Sequence, residues 1–408
     1  MQSRKNLIQR CLWSMGLLGI IIMGQRVILP NVDSVVAAPL LKGQNSFLSI
    51  LGSATGGQLS LPTLLSLGIS PYMTGMVIWS ALNSMDLDVI NGLSVRARGL
   101  VQNAVTLVLA ILQALGLVIA VKTALVPMVW AHFDWSPAFT VIVLIAGAMF
   151  STWLAYVNSD RGIGGTVLML IPGLVNGLPQ AIQVGWGGTK IHLTAPNMVL
   201  IAVVTVVFVL VAVRLYQGEL RIPIQRPMLA SRLDESYLPI KILTAGAMPF
   251  MFSMMLFTLP KMAITSSSWQ YTRAGRQLLW WTNYNTVGGV VLYAGVVILL
   301  GYTFGYINLQ PAKLARQLKE SGDYILDIVP GEDTEKYLMQ KFWRLSSIGN
   351  FVLVLLSVTP LIVGLYLPGI ANFSQYFGRL FIVITIFDNI AQQFRALYGK
   401  NTYRLLSD

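Results

Sequence analysis

The sequence is poor in the residues from which soluble proteins build their surfaces. Only 11% of its 408 residues are charged, whereas soluble domains carry about 25%. It contains one cysteine, Cys11, and two histidines. A single cysteine excludes an intrachain disulfide, and so few soft ligands exclude a thiolate metal site.

The motifs that carry enzyme chemistry are also missing. The sequence has no GxxxxGK[ST] phosphate loop and no Ser/His/Asp set with a plausible site. Gly162 to Gly165 is glycine-rich but lacks the context of a dinucleotide site, and it is more typical of a helix start after Asp160-Arg161. We therefore predict that the chain is not an enzyme and has no cofactor and no metal.

Long hydrophobic runs dominate what remains. Hydrophobic residues make up 55% of the chain, and ten runs are long enough for a membrane span of roughly 20 residues. The predicted spans are about 9–29, 61–83, 100–121, 137–157, 166–185, 197–216, 241–262, 285–306, 345–366 and 376–393. The first run could be a signal peptide, but its length and the spans that follow favour a retained helix.

The basic residues indicate how the spans are oriented. With the N-terminus in the cytoplasm, 20 of the 28 Lys and Arg residues fall on the inner side, which predicts that both termini are cytoplasmic. The net charge of +12 favours anionic lipid and acidic partner surfaces, and by itself it does not indicate nucleic acid. The span centres lack an Asp/Glu/His relay, which argues against an ion-coupled transporter.

Two stretches far apart share the pattern G-x-x-P-[YF]-M. The first has Gly68, Pro71, Tyr72 and Met73 near the start of the second span, and the second has Gly246, Pro249, Phe250 and Met251 near the start of the seventh. Cutting the chain between spans five and six places each stretch in the second span of a five-span half, and an odd number of spans inverts the second half. We therefore predict two inverted halves, residues 1–196 and 197–408, that meet at a pore with an apolar constriction to which Met73 and Met251 contribute.

Three segments lie between the spans and need their own interpretation. Gln44 to Ser60 is too short to cross a membrane, so it is either re-entrant within protein or external. The inner loops at about 217–240 and 308–344 are long and polar, and the second mixes both charge signs densely. Each is either a solvated loop or a docking surface for a soluble partner.

Four stretches resemble the SecY family of protein-conducting channels over nearly the whole chain. They are LGISPYMTGM, GIGG with GLVNGLPQAI, LPIKILTAGAMPFMF and LQPAKLARQLKESGDYILDIVPGEDTEKYL. The resemblance implies ten transmembrane helices around an hourglass pore, a re-entrant plug helix, and a lateral gate of spans two and three against seven and eight. It also implies a multi-pass protein of the bacterial cytoplasmic membrane.

Matched residue by residue, the resemblance assigns four sets of site residues. The pore ring falls on Ile69, Met73, Leu170, Leu174, Met251 and Phe381. The plug covers about 47–57, with Phe47, Leu48, Ile50, Leu51, Gly52, Gly56 and Gly57, and the broken helices at the gate carry Gly68, Pro71, Tyr72, Gly246, Pro249 and Phe250. Docking of an ATPase motor would use Arg221, Arg226, Arg232, Lys313, Arg316, Lys319, Val329, Pro330, Gly331 and Glu332.

The chain also departs from the usual pattern of the family. The ring mixes Ile, Met, Leu and Phe where the family is rich in isoleucine, and Val329 stands where the family usually has the arginine of R-P-G-E. The departures resemble the accessory SecY of Gram-positive bacteria. That resemblance implies the pore subunit of a second translocase, with a SecA-type ATPase, SecE-like and other small membrane subunits, accessory Sec proteins and unfolded, glycosylated serine-rich adhesins as cargo. The alternatives are a housekeeping SecY and an inverted-repeat transporter of small solutes.

Overall fold

The structure is a computed structural model that describes residues 2–33, 36–37, 62–84, 92, 94–130, 133–183, 195–226, 236–253, 271–366, 370 and 372–399. Most of these residues are helical, as the apolar composition predicts. The described chain forms two compact units. The first holds residues of Met1–Gly187 and Val383–Asp408, and the second holds residues of Gly188–Phe257 and Gln270–Ile382.

Helices of very different length make up the first unit. Its elements are α1 (Gln2–Gly24), α2 (Ser70–Ser84), α3 (Val95–Ala120), a 3₁₀ turn at Lys122–Ala124, strands β1 (Val129–Trp130) and β2 (Phe133–Asp134), α4 (Ser136–Arg161), a 3₁₀ turn at Thr166–Leu170 and α5 (Ile171–Gln183). Side chains from α3, α4 and the segment after α1 form one apolar core that includes Leu29, Leu117 and Leu144. Asn31 donates from Nδ2 to Thr140 Oγ1 at 2.6 Å, which joins the segment after α1 to α4.

The second unit combines long apolar helices with a small body whose helix Pro311–Ser321 carries several charged residues. Its elements are α6 (Ala195–Gln217), β3 (Glu219–Pro223), β4 (Tyr237–Lys241), helical residues 248–253, α7 (Arg273–Trp281), α8 (Val287–Leu309), α9 (Pro311–Ser321), α10 (Glu332–Tyr366) and the part of α11 (Asn372–Gly399) up to Ile382. Strands β3 and β4 pair antiparallel from Glu219 opposite Lys241 to Pro223 opposite Tyr237. Helices α8 and α10 pack closely at Gly301, where a Cβ would overlap the side chain of Asn350.

Seven helices within the described residues are long and apolar enough to cross a membrane. They correspond to predicted spans one, three, four, six, eight, nine and ten. The other three predicted spans fall on shorter helical pieces, namely Ser70–Ser84, the apolar stretch Thr166–Pro179 and residues 248–253. The last piece ends where the described part of the chain is interrupted, at residues 254–270. A membrane protein of helical class is therefore confirmed, and the count of ten spans stays a prediction.

The last two long helices extend beyond the predicted spans. Helix α10 begins at Glu332, well before the predicted start at residue 345, because Glu332, Asp333 and Glu335 in its first turn favour a helix N-terminus. The predicted loop at 308–344 thus contains α9 and the first turns of α10. Helix α11 also runs past the predicted 376–393 at both ends. The predicted plug at about 47–57 and Arg232 lie outside the described residues.

Candidate functional site

In the first unit, a glycine breaks the chain just before α2. Gly68 adopts a φ of 52°, in the left-handed region that glycine enters without a steric cost. Its N–H donates to the carbonyl of Leu65 at 3.0 Å, and the helix begins two residues later at Ser70. Pro71 lies in the first turn, where its missing N–H breaks no helical bond. Gly68, rather than Pro71, therefore interrupts the span.

We call this glycine break, with the helix start that follows it, an elbow. The second unit has a second elbow at the matching motif. Gly246 has a φ of 60°, and its N–H donates to the carbonyl of Leu243 at 3.0 Å. The next bond matches as well, because Met251 N–H donates to Ala247 O as Met73 N–H donates to Ile69 O. The sequence match between the two motifs therefore reflects a shared backbone conformation.

Each elbow is held between the segment after the preceding long helix and a glycine of a later one. The N–H groups of Leu64 and Ile242 donate to the carbonyls of Val27 and Gly218, both at 2.9 Å. The carbonyls of Leu64 and Ile242 then point at Gly147 in α4 and at Gly349 in α10, where a Cβ would overlap the oxygen. The two units thus build their elbows from equivalent parts.

Every residue of the predicted pore ring is buried. Ile69, Met73, Leu170 and Leu174 belong to the first unit, and Met251 and Phe381 belong to the second; their exposed fractions are 2%, 1%, 0%, 0%, 3% and 0%. Within the second unit, the Phe381 ring lies 5.3 Å from that of Phe250, the aromatic residue of the elbow motif, and 6.5 Å from that of Tyr216. The structure therefore brings Phe381 together with the second elbow. The ring as a complete constriction stays a prediction.

A third glycine break precedes the helical stretch that carries Leu170 and Leu174. Gly164 and Gly165 have φ values of 84° and 61°, and a 3₁₀ turn starts at Thr166. Three buried or half-buried polar contacts hold this glycine turn. Asn158 Nδ2 donates to Gly165 O at 2.6 Å, Ile163 N–H donates to Ser14 Oγ at 2.8 Å, and Gly164 N–H donates to Gln393 Oε1 at 2.8 Å.

Ser14 and Asn158 are functional candidates that sequence reasoning missed. Ser14 Oγ donates to Asn158 Oδ1 at 2.7 Å, and both residues are buried. Ser14 is a single polar residue in an apolar run, and Asn158 begins the polar end of another. Either signal could have singled out its residue only if the two helices were already known to be neighbours. Gly147 and Gly349 were missed for the same reason.

The two predicted docking loops pack into one body within the second unit, which we call the extramembrane body because the sequence places both loops between predicted spans. Ile222 and Ile240 of the β3–β4 hairpin share an apolar core with Ala315 of α9, with Ile325, and with Leu338 of α10. The backbones join as well, because Gln225 N–H donates to Tyr324 O at 2.8 Å and Tyr324 N–H donates to Gln225 O at 3.1 Å. Arg226 adds a salt bridge to Asp323 at 3.4 Å. A packed core of this kind is not a solvated loop, so the two loops present a defined surface.

The predicted docking residues differ in their exposure and in their contacts. Lys313, Arg316 and Lys319 are exposed on α9, and Val329 exposes 66% of its surface. Arg221 is also exposed, lies over the Tyr237 ring at 4.7 Å and bonds to Glu219 at 2.8 Å. That bond raises the pKa of Arg221 above its ordinary value. Arg226 instead holds the body together through its bond to Asp323.

The remaining predicted docking residues, 329–332, form the turn that leads into α10. Gly331 has a φ of 122°, and its carbonyl accepts from Glu335 N–H at 3.0 Å in the first turn of α10. Thr334 Oγ1 donates to Val329 O at 3.0 Å. Pro330 and Glu332 are exposed at the same turn. Val329 therefore has a fixed backbone and a free side chain.

Comparison with known proteins gives one family. The SecY family model matches residues 63–390. Relatives called accessory Sec system protein translocase subunit SecY2 are 30% identical over 408 residues in Streptococcus oralis and 28% identical over 411 residues in Streptococcus salivarius, each with 98% of both chains covered. A third, from Leuconostoc gelidum, is 25% identical and covers 98% of this chain and 96% of its own.

Solved structures with a similar fold are also channels. One is described as a protein conducting channel, with a TM-score of 0.59, 15% identity and coverage of 95% of this chain and 92% of the other. Another concerns the plug domain of the SecY protein and the closed state of its channel, with a TM-score of 0.60, 14% identity and coverage of 96% and 93%.

Proposed function

Because the chain belongs to the SecY family, we propose that it is the pore-forming subunit of an accessory Sec translocase in a bacterial cytoplasmic membrane. It is a protein-translocation channel and not an enzyme. The observation that carries the accessory assignment is the similarity to SecY2 chains over 98% of both lengths in two Streptococcus species. Val329, in place of the usual arginine of the large loop, supports it independently.

The pore would work through the broken helices. The two elbows and the glycine turn at 162–165 each start a short helical piece, and the six buried ring residues lie on or beside these pieces or on α11. An apolar ring excludes water and ions while the pore is closed. Unbranched methionines can repack around the varied side chains of an unfolded polypeptide. A plug at about 47–57 would leave, and the helices with the elbows would part to release apolar segments to lipid.

The extramembrane body would receive the motor. Its exposed cations Arg221, Lys313, Arg316 and Lys319 fit an acidic face of a SecA-type ATPase, since complementary charge speeds and orients association. We expect SecE-like and other small membrane subunits beside the pore, and accessory Sec proteins that deliver glycosylated serine-rich adhesins. With the extramembrane body on the cytoplasmic side, both termini would also face the cytoplasm.

Crosslinking tests the pore. Replacing Cys11 by Ser leaves a cysteine-free chain, into which Met73→Cys or Phe381→Cys is introduced. Both positions should crosslink to a secretory polypeptide stalled during export. Ile142→Cys is the control, because this α4 residue exposes 65% of its surface on an apolar helix and should face lipid. If the stalled polypeptide contacts neither ring position, the ring assignment is wrong.

Deletion of the gene tests the accessory assignment separately. Loss of a single surface glycoprotein, with bulk secretion intact, is the expected result. General secretion failure or lethality would instead identify a housekeeping channel.

A further inference from the structure

Helix α7 is a short helix fixed at the end of a membrane-spanning one. Thr286, the N-cap of α8, shares its one hydroxyl proton between two carbonyls, with Oγ1 2.5 Å from Trp280 O and 2.7 Å from Asn283 O. The Trp280 ring lies against Gly288, where a Cβ would overlap it. Since α8 is apolar and begins at Val287, α7 is held where that helix reaches the edge of the membrane.

The nine residues of α7 form three stripes along the helix. Gly275 is buried and Leu279 is half-buried, so this stripe faces the protein. Leu278 and Trp281 expose 41% and 43% of their surfaces and form a second, apolar stripe. A third stripe carries Arg273, Arg276, Gln277 and Trp280, all of them exposed. An exposed apolar stripe beside an exposed cationic one is typical of a helix that lies in a membrane interface.

The charge around α7 has one sign. Residues 271–286 include two arginines and no Asp or Glu. The extramembrane body differs, because its helix α9 carries Glu320 in a salt bridge with Arg316 and α10 begins with three acidic residues. A surface that is only cationic and adjoins exposed Trp and Leu is complementary to an anionic membrane rather than to water.

We propose that α7 binds anionic phospholipid in the membrane interface, with Leu278 and Trp281 among the acyl chains and Arg273 and Arg276 on the phosphate groups. The indole ring of Trp281 suits the boundary between headgroups and acyl chains. Each arginine near a membrane surface should favour anionic over zwitterionic lipid about fivefold. Because α7 is tied to α8 through Thr286 and Gly288, the bound lipid also anchors the end of α8.

A single-cysteine chain can report the lipid directly. Cys11→Ser with Leu278→Cys gives one site for a bimane fluorophore on the apolar stripe. The labelled full chain is placed in nanodiscs of mixed phosphatidylcholine and phosphatidylglycerol, in which one lipid or the other carries brominated acyl chains. We expect brominated phosphatidylglycerol to quench several-fold more strongly than brominated phosphatidylcholine at equal content. Arg273→Gln with Arg276→Gln should reduce this preference to near one without abolishing quenching, because the apolar stripe remains.

Two controls complete the experiment. Arg316→Gln removes another exposed cation, from α9, and should leave the preference unchanged. A bimane at Leu326→Cys, which exposes 57% of its surface in the extramembrane body, should not be quenched. Equal quenching by both lipids in the parent, or a preference that survives the double substitution, would overturn the anionic site. Absence of quenching by either lipid would overturn membrane contact itself.

Discussion

At the residue scale, the pairing of Ser14 with Asn158 fixes a glycine turn that has little conformational preference of its own. Gly164 and Gly165 can adopt many backbone conformations, so the turn depends on partners from α1, α4 and α11. Ser14 supplies both a donor to Asn158 and an acceptor for Ile163 N–H. Loss of its hydroxyl would leave two buried polar groups unsatisfied.

We therefore expect Ser14→Ala to lower the free energy of unfolding by about 1–3 kcal/mol. Ser14→Thr should retain most of the stability, since it keeps the hydroxyl. Ser151→Ala is the matched control, because Ser151 is also buried in α4 but donates only to Gly147 O of its own helix at 2.9 Å. Thermal unfolding of the purified protein in detergent measures the difference. Equal losses in the two alanine variants would contradict a special role for Ser14.

Phe381 is the second residue whose surroundings predict a measurable effect. Its ring packs against Phe250 of the elbow motif and has no exposed surface. Phe381→Ala should cost about 3–5 kcal/mol of stability and should also raise the ion permeability of the resting channel, because the proposed seal would lose its largest member. Proteoliposomes with an internal potassium-sensitive dye report the leak.

Phe208→Ala separates the seal from general stability. Phe208 stacks on Phe377 at 4.4 Å in the same unit, but neither belongs to the predicted ring. This variant should lose comparable stability and stay impermeable to ions. A similar leak in both variants would mean that loosened packing, rather than a lost seal, lets the ions through.

At the scale of elements, each broken helix depends on one glycine in a distant long helix. The carbonyls of Leu64 and Ile242 occupy the space that a side chain at Gly147 or Gly349 would need. Backbone cannot yield there as a flexible side chain could, so the elbow itself must shift. The same arrangement in both units supports the proposal that the halves are repeats.

Gly147→Ala and Gly349→Ala should therefore each destabilise the protein by about 1–3 kcal/mol, the range seen for overpacked cores. Gly295→Ala is the control, because Gly295 lies inside α8 and, apart from the adjoining backbone of its own helix, no atom comes within 4 Å of the place that an alanine Cβ would take there. That change should be neutral or slightly stabilising, since alanine is the better helix former. Thermal unfolding ranks the three variants. If Gly147→Ala unfolds no earlier than Gly295→Ala, the close contact with Leu64 does not constrain the elbow.

At the scale of the whole molecule, the extramembrane body is the surface on which a soluble motor could dock. Two loops that are far apart in sequence share one core, so their exposed cations keep a fixed arrangement. Exposed charges mainly govern association rate and salt dependence.

Lys313→Glu with Lys319→Glu should therefore weaken binding of the proposed SecA-type ATPase about tenfold or more at low salt, with a smaller effect at high salt. Arg96→Glu is the control, because Arg96 is exposed at the start of α3 in the other unit. Surface plasmon resonance with the channel in nanodiscs measures both. Affinity that is unchanged in the double variant would place the motor elsewhere.

The sequence by itself determined the membrane class, seven of the long spans, the family and the twin motif, because apolar runs, charge and short motifs are local properties of the chain. The family resemblance also placed broken helices at Gly68 and Gly246 and named Pro71 among their residues. The structure puts the break at the glycines and Pro71 in a first turn. Only the tertiary structure decided which residues support those breaks. Ser14 meets Asn158 across a separation of 144 residues, and the glycines behind the elbows lie in helices that no local pattern connects to them. Such contacts depend on how helices pack, which is a property of the folded chain and not of any one segment.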